Sequence, residues 1–166
     1  VRNASFHGLG FGSEAKFGGL SLVRNPLLVR RGQNVIENNS FTNVVSVSST
    51  MTDGMVIRNN RFHDTRGPSL VVTRSVDTRI VGNLFSGDAP TNAIRLLQGS
   101  SRGVIAGNVV LDGDRSGIVV RNDSDNVIVR NNLVWHRGGG GISVSKSQCA
   151  EVTHNLVMDN RQKGIE

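Results

Sequence analysis

Cysteine, tyrosine, tryptophan and lysine are scarce in this chain of 166 residues, and each shortage excludes something. One cysteine, Cys149, can neither close an intrachain disulfide nor build a cysteine zinc cluster. There is no tyrosine and one tryptophan, Trp135. Binders of single-stranded nucleic acid need aromatic platforms, and neutral sugars are usually held by stacking on the same side chains. No apolar run approaches the roughly 18 residues of a membrane-spanning helix, so neither nucleic acid nor membrane is an expected partner. No stretch sustains the i, i+3, i+4, i+7 pattern of a capped amphipathic helix. The only lysines are Lys16, Lys146 and Lys163. Positive charge is therefore mostly arginine, and the net charge of +6 favours an anionic partner or simply solubility.

What the chain does contain is a repeat. Asn39, Asn60, Asn83, Asn108, Asn132 and Asn155 recur at spacings of 21, 23, 25, 24 and 23 residues, each in the same apolar frame. Ile36, Ile57, Ile80, Ile105, Val129 and Val152 stand three residues before them, and Phe41, Phe62, Phe85, Val110, Val134 and Val157 two residues after. A second alternating segment precedes each asparagine from Asn60 onward: Val45-Ser-Val47, Leu70-Val-Val72, Ile94-Arg-Leu96, Ile118-Val-Val120 and Ile142-Ser-Val144. Gly, Asp, Ser and Asn lie between the segments, as tight turns require.

Such a period marks a stacked solenoid, in which neighbouring units complete one another's core. Short strands joined by polar turns make each unit one coil of a β-helix. The asparagines are expected to point inward, where an amide can bond the amide one coil away and the turn backbone. Residues 1–166 read as one domain. Val1, Ala4 and Phe6 repeat the frame of Ile36, Asn39 and Phe41, and Gly164-Ile165 repeats Gly141-Ile142. The ends are thus expected to be covered by further chain or a neighbouring subunit. Residues 7–33 hold surplus sequence, expected as an irregular first coil with a protruding loop; its glycines lack the strand and helix context of a phosphate loop.

The frame Gly-Ile-x-Val, turn, x-Val-x-Ile-x-x-Asn-x-Phe resembles the right-handed parallel β-helix repeats of carbohydrate-binding and sugar-hydrolase domains over residues 34–166. The resemblance implies an all-β, right-handed parallel β-helix of about six to seven coils. That family embraces lyases, epimerases, hydrolases, tailspikes and non-enzymatic periplasmic proteins, so an extracellular or periplasmic location is implied. Thr73-Arg74-Ser75-Val76-Asp77, followed by Ile80 and Asn83, is similar to the strand and turn that carry the functional arginine of mannuronan C5-epimerases. Where those enzymes have Asp-Pro-His-Asp one coil earlier, this chain has Val47-Ser48-Ser49-Thr50, which offers neither acid nor imidazole. Ile94-Arg95 resembles the arginine-bearing strand of polysaccharide lyases, without their lysine. If the chain is an enzyme, the resemblance implies a lyase or a uronate epimerase.

Strand alternation turns Arg95 and Arg121 outward when Ile94, Leu96, Ile118 and Val120 point inward. Arg74 and Lys146 fall at strand ends, nine residues before Asn83 and Asn155. Arg74, Arg95, Arg121 and Lys146 are therefore the candidate binding residues for the carboxylates of an acidic polysaccharide. A column four residues after the asparagines, Asn43, Asp64, Asp112, His136 and Asp159, suits turn closure, with calcium as the alternative and no other cofactor expected. His63, His136 and His154 read as turn or surface residues. Two function classes follow: binding, with or without processing, of an acidic extracellular polysaccharide, or a structural and adhesive solenoid.

Overall fold

The computed structural model describes residues 1–9, 19–23 and 34–166, which form strands, bridges and turns and no helix. The strands, numbered along the chain, stack into three sheets. Sheet I holds β2 (Leu20–Val23), β5 (Val47–Thr50), β8 (Leu70–Thr73), β11 (Ile94–Leu97), β14 (Ile118–Arg121) and β17 (Ile142–Ser145). Sheet II holds β3 (Val35–Glu37), β6 (Val56–Arg58), β9 (Arg79–Val81), β12 (Val104–Ala106), β15 (Ile128–Arg130) and β18 (Glu151–Thr153). Sheet III holds β1 (Ser5–His7), β4 (Ser40–Thr42), β7 (Arg61–His63), β10 (Leu84–Ser86), β13 (Val109–Leu111), β16 (Leu133–Trp135) and β19 (Leu156–Met158).

The chain visits sheets I, II and III in turn, and each strand pairs in parallel with its counterpart one coil away. This is the expected parallel β-helix, and its sheets of six and seven strands agree with the repeat count. Stacking places equivalent side chains about 4.8 Å apart in columns. Ile36, Ile57, Ile80, Ile105 and Val129 line sheet II from inside, and Leu70, Ile94, Ile118 and Ile142 line sheet I, all fully buried. On sheet III, Phe6, Phe41, Phe62 and Phe85 stack with ring centroids 4.9, 5.0 and 4.6 Å apart, an arrangement that adds ring attraction to area burial.

The corners explain the small polar residues. The residue before each ladder asparagine is left-handed: Asn38, Asn59, Asn131 and His154 have φ of 56°, 54°, 55° and 54°, with Gly82 and Gly107 in the same column. Asn, Gly and His tolerate this region better than branched residues do. Inside that corner, Asn39 Nδ2 donates to Asn60 Oδ1 (3.0 Å), and the pattern continues through Asn83, Asn108, Asn132 and Asn155 at 2.9–3.0 Å. The same oxygens accept the backbone N–H of the preceding asparagine, for example Asn60 N to Asn83 Oδ1 at 2.9 Å.

A second ladder, not anticipated from the sequence, runs inside the corner between sheets I and II. The hydroxyls of Ser75, Ser100, Ser124 and Ser147 accept the backbone N–H of Thr52, Ser75, Ser100 and Ser124 at 3.0, 3.4, 3.2 and 3.1 Å.

One expected strand is displaced. Val45-Ser-Val47 gives way to β5, beginning at Val47, which lies opposite Leu70. The corner 43–46 is shorter than 64–69 or 87–93, so pairing with β8 draws the strand two residues later and leaves Val44 and Val45 buried in the corner. Phe6 pairs with Phe41, and Ile165 bridges to Ile142, as the frames at the two ends imply. Most of the expected protruding loop, 10–18 and 24–33, lies outside the described residues.

Candidate functional site

The outer face of sheet I carries the predicted cations. Register places Ser48, Val71, Arg95, Val119 and Ser143 in one outward column, and Thr50, Thr73, Leu97, Arg121 and Ser145 in the next. Arg95 and Arg121 therefore stand on adjacent strands, two residues apart along the sheet, with Cα positions about 8 Å apart. Met51, Arg74, Gln98, Asn122 and Lys146 follow these strands in a left-handed column, with φ of 54°, 50°, 54°, 58° and 50°. All four cations thus occupy consecutive coils on one face, in three columns.

Their environments differ. Arg95 is half-buried, and its Nε donates to Asn92 Oδ1 at 2.8 Å; Asn92 Nδ2 donates in turn to Ser116 O at 3.0 Å. Burial first, and then the positive charge of Arg121, hold the Arg95 guanidinium below the ordinary arginine value. Arg74, Arg121 and Lys146 are exposed and have no ion-pair partner among the described residues. Between Arg95 and Ser143, Val119 is only 2% exposed and forms an apolar floor.

No carboxylate or imidazole occupies the outward columns or the left-handed column among the described residues. Asp123, the nearest acid along the chain from Arg121, lies beyond Asn122 in the corner. Opposite Val71 and Thr73, the outward side chains of β5 are Ser48 and Thr50. The face therefore presents positive charge, but among the described residues it offers no base or acid to move a proton there.

The family model described as right handed beta helix region matches residues 23–166. The chain belongs to the right-handed β-helix family. Comparison of the sequence with curated proteins gives no match. Among solved structures, the periplasmic alginate epimerase AlgG is similar to this β-helix with a TM-score of 0.87 and 20% identity, over 99% of this chain and 41% of that one. A single-substitution variant of AlgG gives 0.83 and 20% over the same shares, and a double mutant gives 0.70 and 19% over 99% and 47%. The chain spans less than half the length of these proteins, and at this identity the likeness establishes the fold.

The β-helix also buries a residue that the sequence reading passed over. Arg137, in the corner between sheets III and I, is 1% exposed. Its guanidinium donates to Arg115 O (2.9 Å), Leu111 O (3.4 Å) and Thr91 O (2.9 Å), tying together three coils. Burial lowers its pKa to about 10, against the pull of Asp112 and Asp114, so it remains charged at neutral pH. A Cβ on Gly113 would meet Nη1 at 2.4 Å, and one on Gly139 would meet Ser116 N at 2.5 Å. The run Gly138 to Gly141 was the available signal: four glycines in a corner mark close backbone approach. Through Thr91, Arg137 fixes the segment whose Asn92 orients Arg95.

The residues of the possible calcium column adopt left-handed turn conformations, φ 53° at Asn43, 49° at Asp64, 54° at Asp112, 56° at His136 and 52° at Asp159. Three of their carboxylates accept bonds from the protein: Asp64 Oδ1 from Asp88 N (3.1 Å), Asp112 Oδ1 from His136 Nδ1 (2.8 Å) and Asp159 Oδ2 from Trp135 Nε1 (2.7 Å). Among the described residues no three His, Cys, Asp or Glu side chains form a metal-binding group. His63 lies on β7, with Nδ1 3.2 Å from Ser86 Oγ, three coils from His136.

Proposed function

We propose that the outer face of sheet I binds an acidic, uronate-containing polysaccharide outside the cytoplasm, without catalysing its modification on the described part of that face. One observation carries the reading: Arg95 and Arg121 are brought together on neighbouring strands, where burial and then the charge of Arg121 disfavour the charged form of Arg95, on a face with no carboxylate among the described residues to neutralise them. A polymer carboxylate between them would remove that repulsion and gain charge-assisted hydrogen bonds. Arg74 and Lys146 extend the positive track to the coils on either side, and one coil rise is close to the length of one sugar unit in a linear glycan. The fold likeness to a periplasmic alginate epimerase supports a uronate polymer and a periplasmic or extracellular setting. The outward side chains of β5, Ser48 and Thr50, offer neither an acid nor an imidazole beside Val71 and Thr73, which supports binding over proton transfer.

The test is calorimetric titration with oligomannuronate and oligogalacturonate, with ultraviolet detection of unsaturated products. Binding without product, weakening as salt rises, is expected. Replacing Arg95 and Arg121 together by Ala should cost about 3 kcal/mol or more, at least about 100-fold in affinity. Unchanged affinity in that variant would refute the face, and unsaturated product would establish a lyase instead.

A further inference from the structure

We propose a second glycan site on a different face: the outer surface of sheet III around Trp135, which takes the apolar face of an uncharged pyranose ring. The proposal does not rest on the uronate reading.

Trp135 points outward from β16 and is 42% exposed although β13 and β19 flank its strand on both sides. Its exposure therefore belongs to the face of the sheet and not to an edge. Leu111 and Met158 stand in register on either side of it, and Leu133 continues the apolar surface in the adjoining column. The same outward positions on β7 hold Arg61 and His63, so the coil geometry does not require apolar residues there. Strands stacked in register give a flat surface.

The indole is held in place. Nε1 donates to Asp159 Oδ2 at 2.7 Å, which fixes the ring on the platform and leaves its face open. Along the rim, Asp112 accepts from His136 at 2.8 Å, and the His136 ring lies 6.0 Å from the indole centroid. This leaves Asp112 Oδ2 and Asp159 Oδ1 as acceptors for hydroxyl donors at the edge of the platform. A pyranose has the matching shape, with C–H groups on one face and hydroxyls around the rim, as expected of a mostly apolar site with a few directional polar groups. The two carboxylates choose between sugars: they repel a uronate and accept hydrogen bonds from an uncharged ring. The cationic face of sheet I has the opposite preference.

Because Trp135 is the only tryptophan and there is no tyrosine, intrinsic emission reports on this site alone. The full chain would be titrated with β-1,4-linked glucose and mannose tetrasaccharides and, separately, with tetramannuronate. A saturable change with a neutral tetrasaccharide and none with tetramannuronate is expected. By calorimetry, Trp135→Leu should weaken neutral-sugar binding by about tenfold or more. The Arg95→Ala, Arg121→Ala double variant should keep it, which separates this site from the uronate face. Circular dichroism matching that of the unsubstituted chain would show that Trp135→Leu has not unfolded. No saturable change with either neutral sugar, or unaltered calorimetric binding in Trp135→Leu, would overturn the proposal. So would an emission shift that follows protein concentration and not sugar, which would assign the face to a second copy of the chain.

Discussion

Replacing Asn83 by Ala tests whether the asparagine column holds the coils together or merely fills a corner. Asn83 Oδ1 accepts from Asn60 N (2.9 Å) and Asn60 Nδ2 (3.0 Å). Its Nδ2 donates to Ile57 O (3.0 Å), Val81 O (3.3 Å) and Asn108 Oδ1 (3.0 Å). After truncation, Asn60 Nδ2 keeps Ile36 O and Arg58 O, and Asn108 Oδ1 keeps the Asn83 backbone N–H. The buried Asn60 N–H keeps no acceptor, a loss of about 1–3 kcal/mol, and the remaining weakened bonds add about 1–2 kcal/mol. The expected destabilisation is about 2–5 kcal/mol, or about 4–20 °C in melting temperature for a chain of this size.

Asn155→Ala is the internal control. That residue is only partly buried, so water can replace its bonds to Asn132 N (3.0 Å) and Nδ2 (2.9 Å), and about 1–2 kcal/mol is expected. Urea unfolding followed by both Trp135 emission and circular dichroism measures each value and shows whether the coils unfold together. An Asn83→Ala loss below about 1 kcal/mol, or no larger than that of Asn155→Ala, would refute the reasoning. Asn83→Asp adds a signed check. A carboxylate there faces Ile57 O and Val81 O, so its folded pKa rises above its unfolded value. Stability relative to the unsubstituted chain should be best below pH about 4 and fall as pH rises through the raised pKa.

Arg137→Lys exchanges a planar fork for a point charge and cannot serve three carbonyls at once. A loss of about 2–4 kcal/mol by urea unfolding is expected, with weaker uronate binding through Asn92 and Arg95; equal stability would show that the guanidinium fork is dispensable. Arg102 Nε and Nη2 donate to Asp77 Oδ1 and Oδ2 at 2.8 and 2.9 Å, and this hydrogen bonding holds the Asp77 carboxyl below its ordinary range. A depressed folded pKa contributes stability above the unfolded pKa that is lost on acidification through the folded one. The melting-temperature difference between the chain and Arg102→Ala should therefore be small near neutrality, because the pair is exposed, and should shrink further below pH about 4. A difference that grows on acidification would contradict the assignment.

The amino-acid sequence alone determined the coil. A β-branched residue three before each asparagine and an apolar one two after it set strand, turn and strand, and alternation set which side chains face inward. The inward Asn39 to Asn155 column and the outward Arg95 and Arg121 were legible for that reason. Stacking decided the rest. Parallel pairing with β8 moved β5 two residues from its apparent place at Val45, because interstrand bonds override a local hydrophobic match in a shortened corner. The serine hydroxyls act between coils about 24 residues apart, and serine is common in turns whatever it bonds, so no pattern distinguished that ladder. Arg137 reaches Thr91 across 46 residues of sequence. A long side chain at a glycine-lined corner turns inward only when neighbouring coils supply carbonyls, here those of the two preceding coils, and those carbonyls are assembled by tertiary structure.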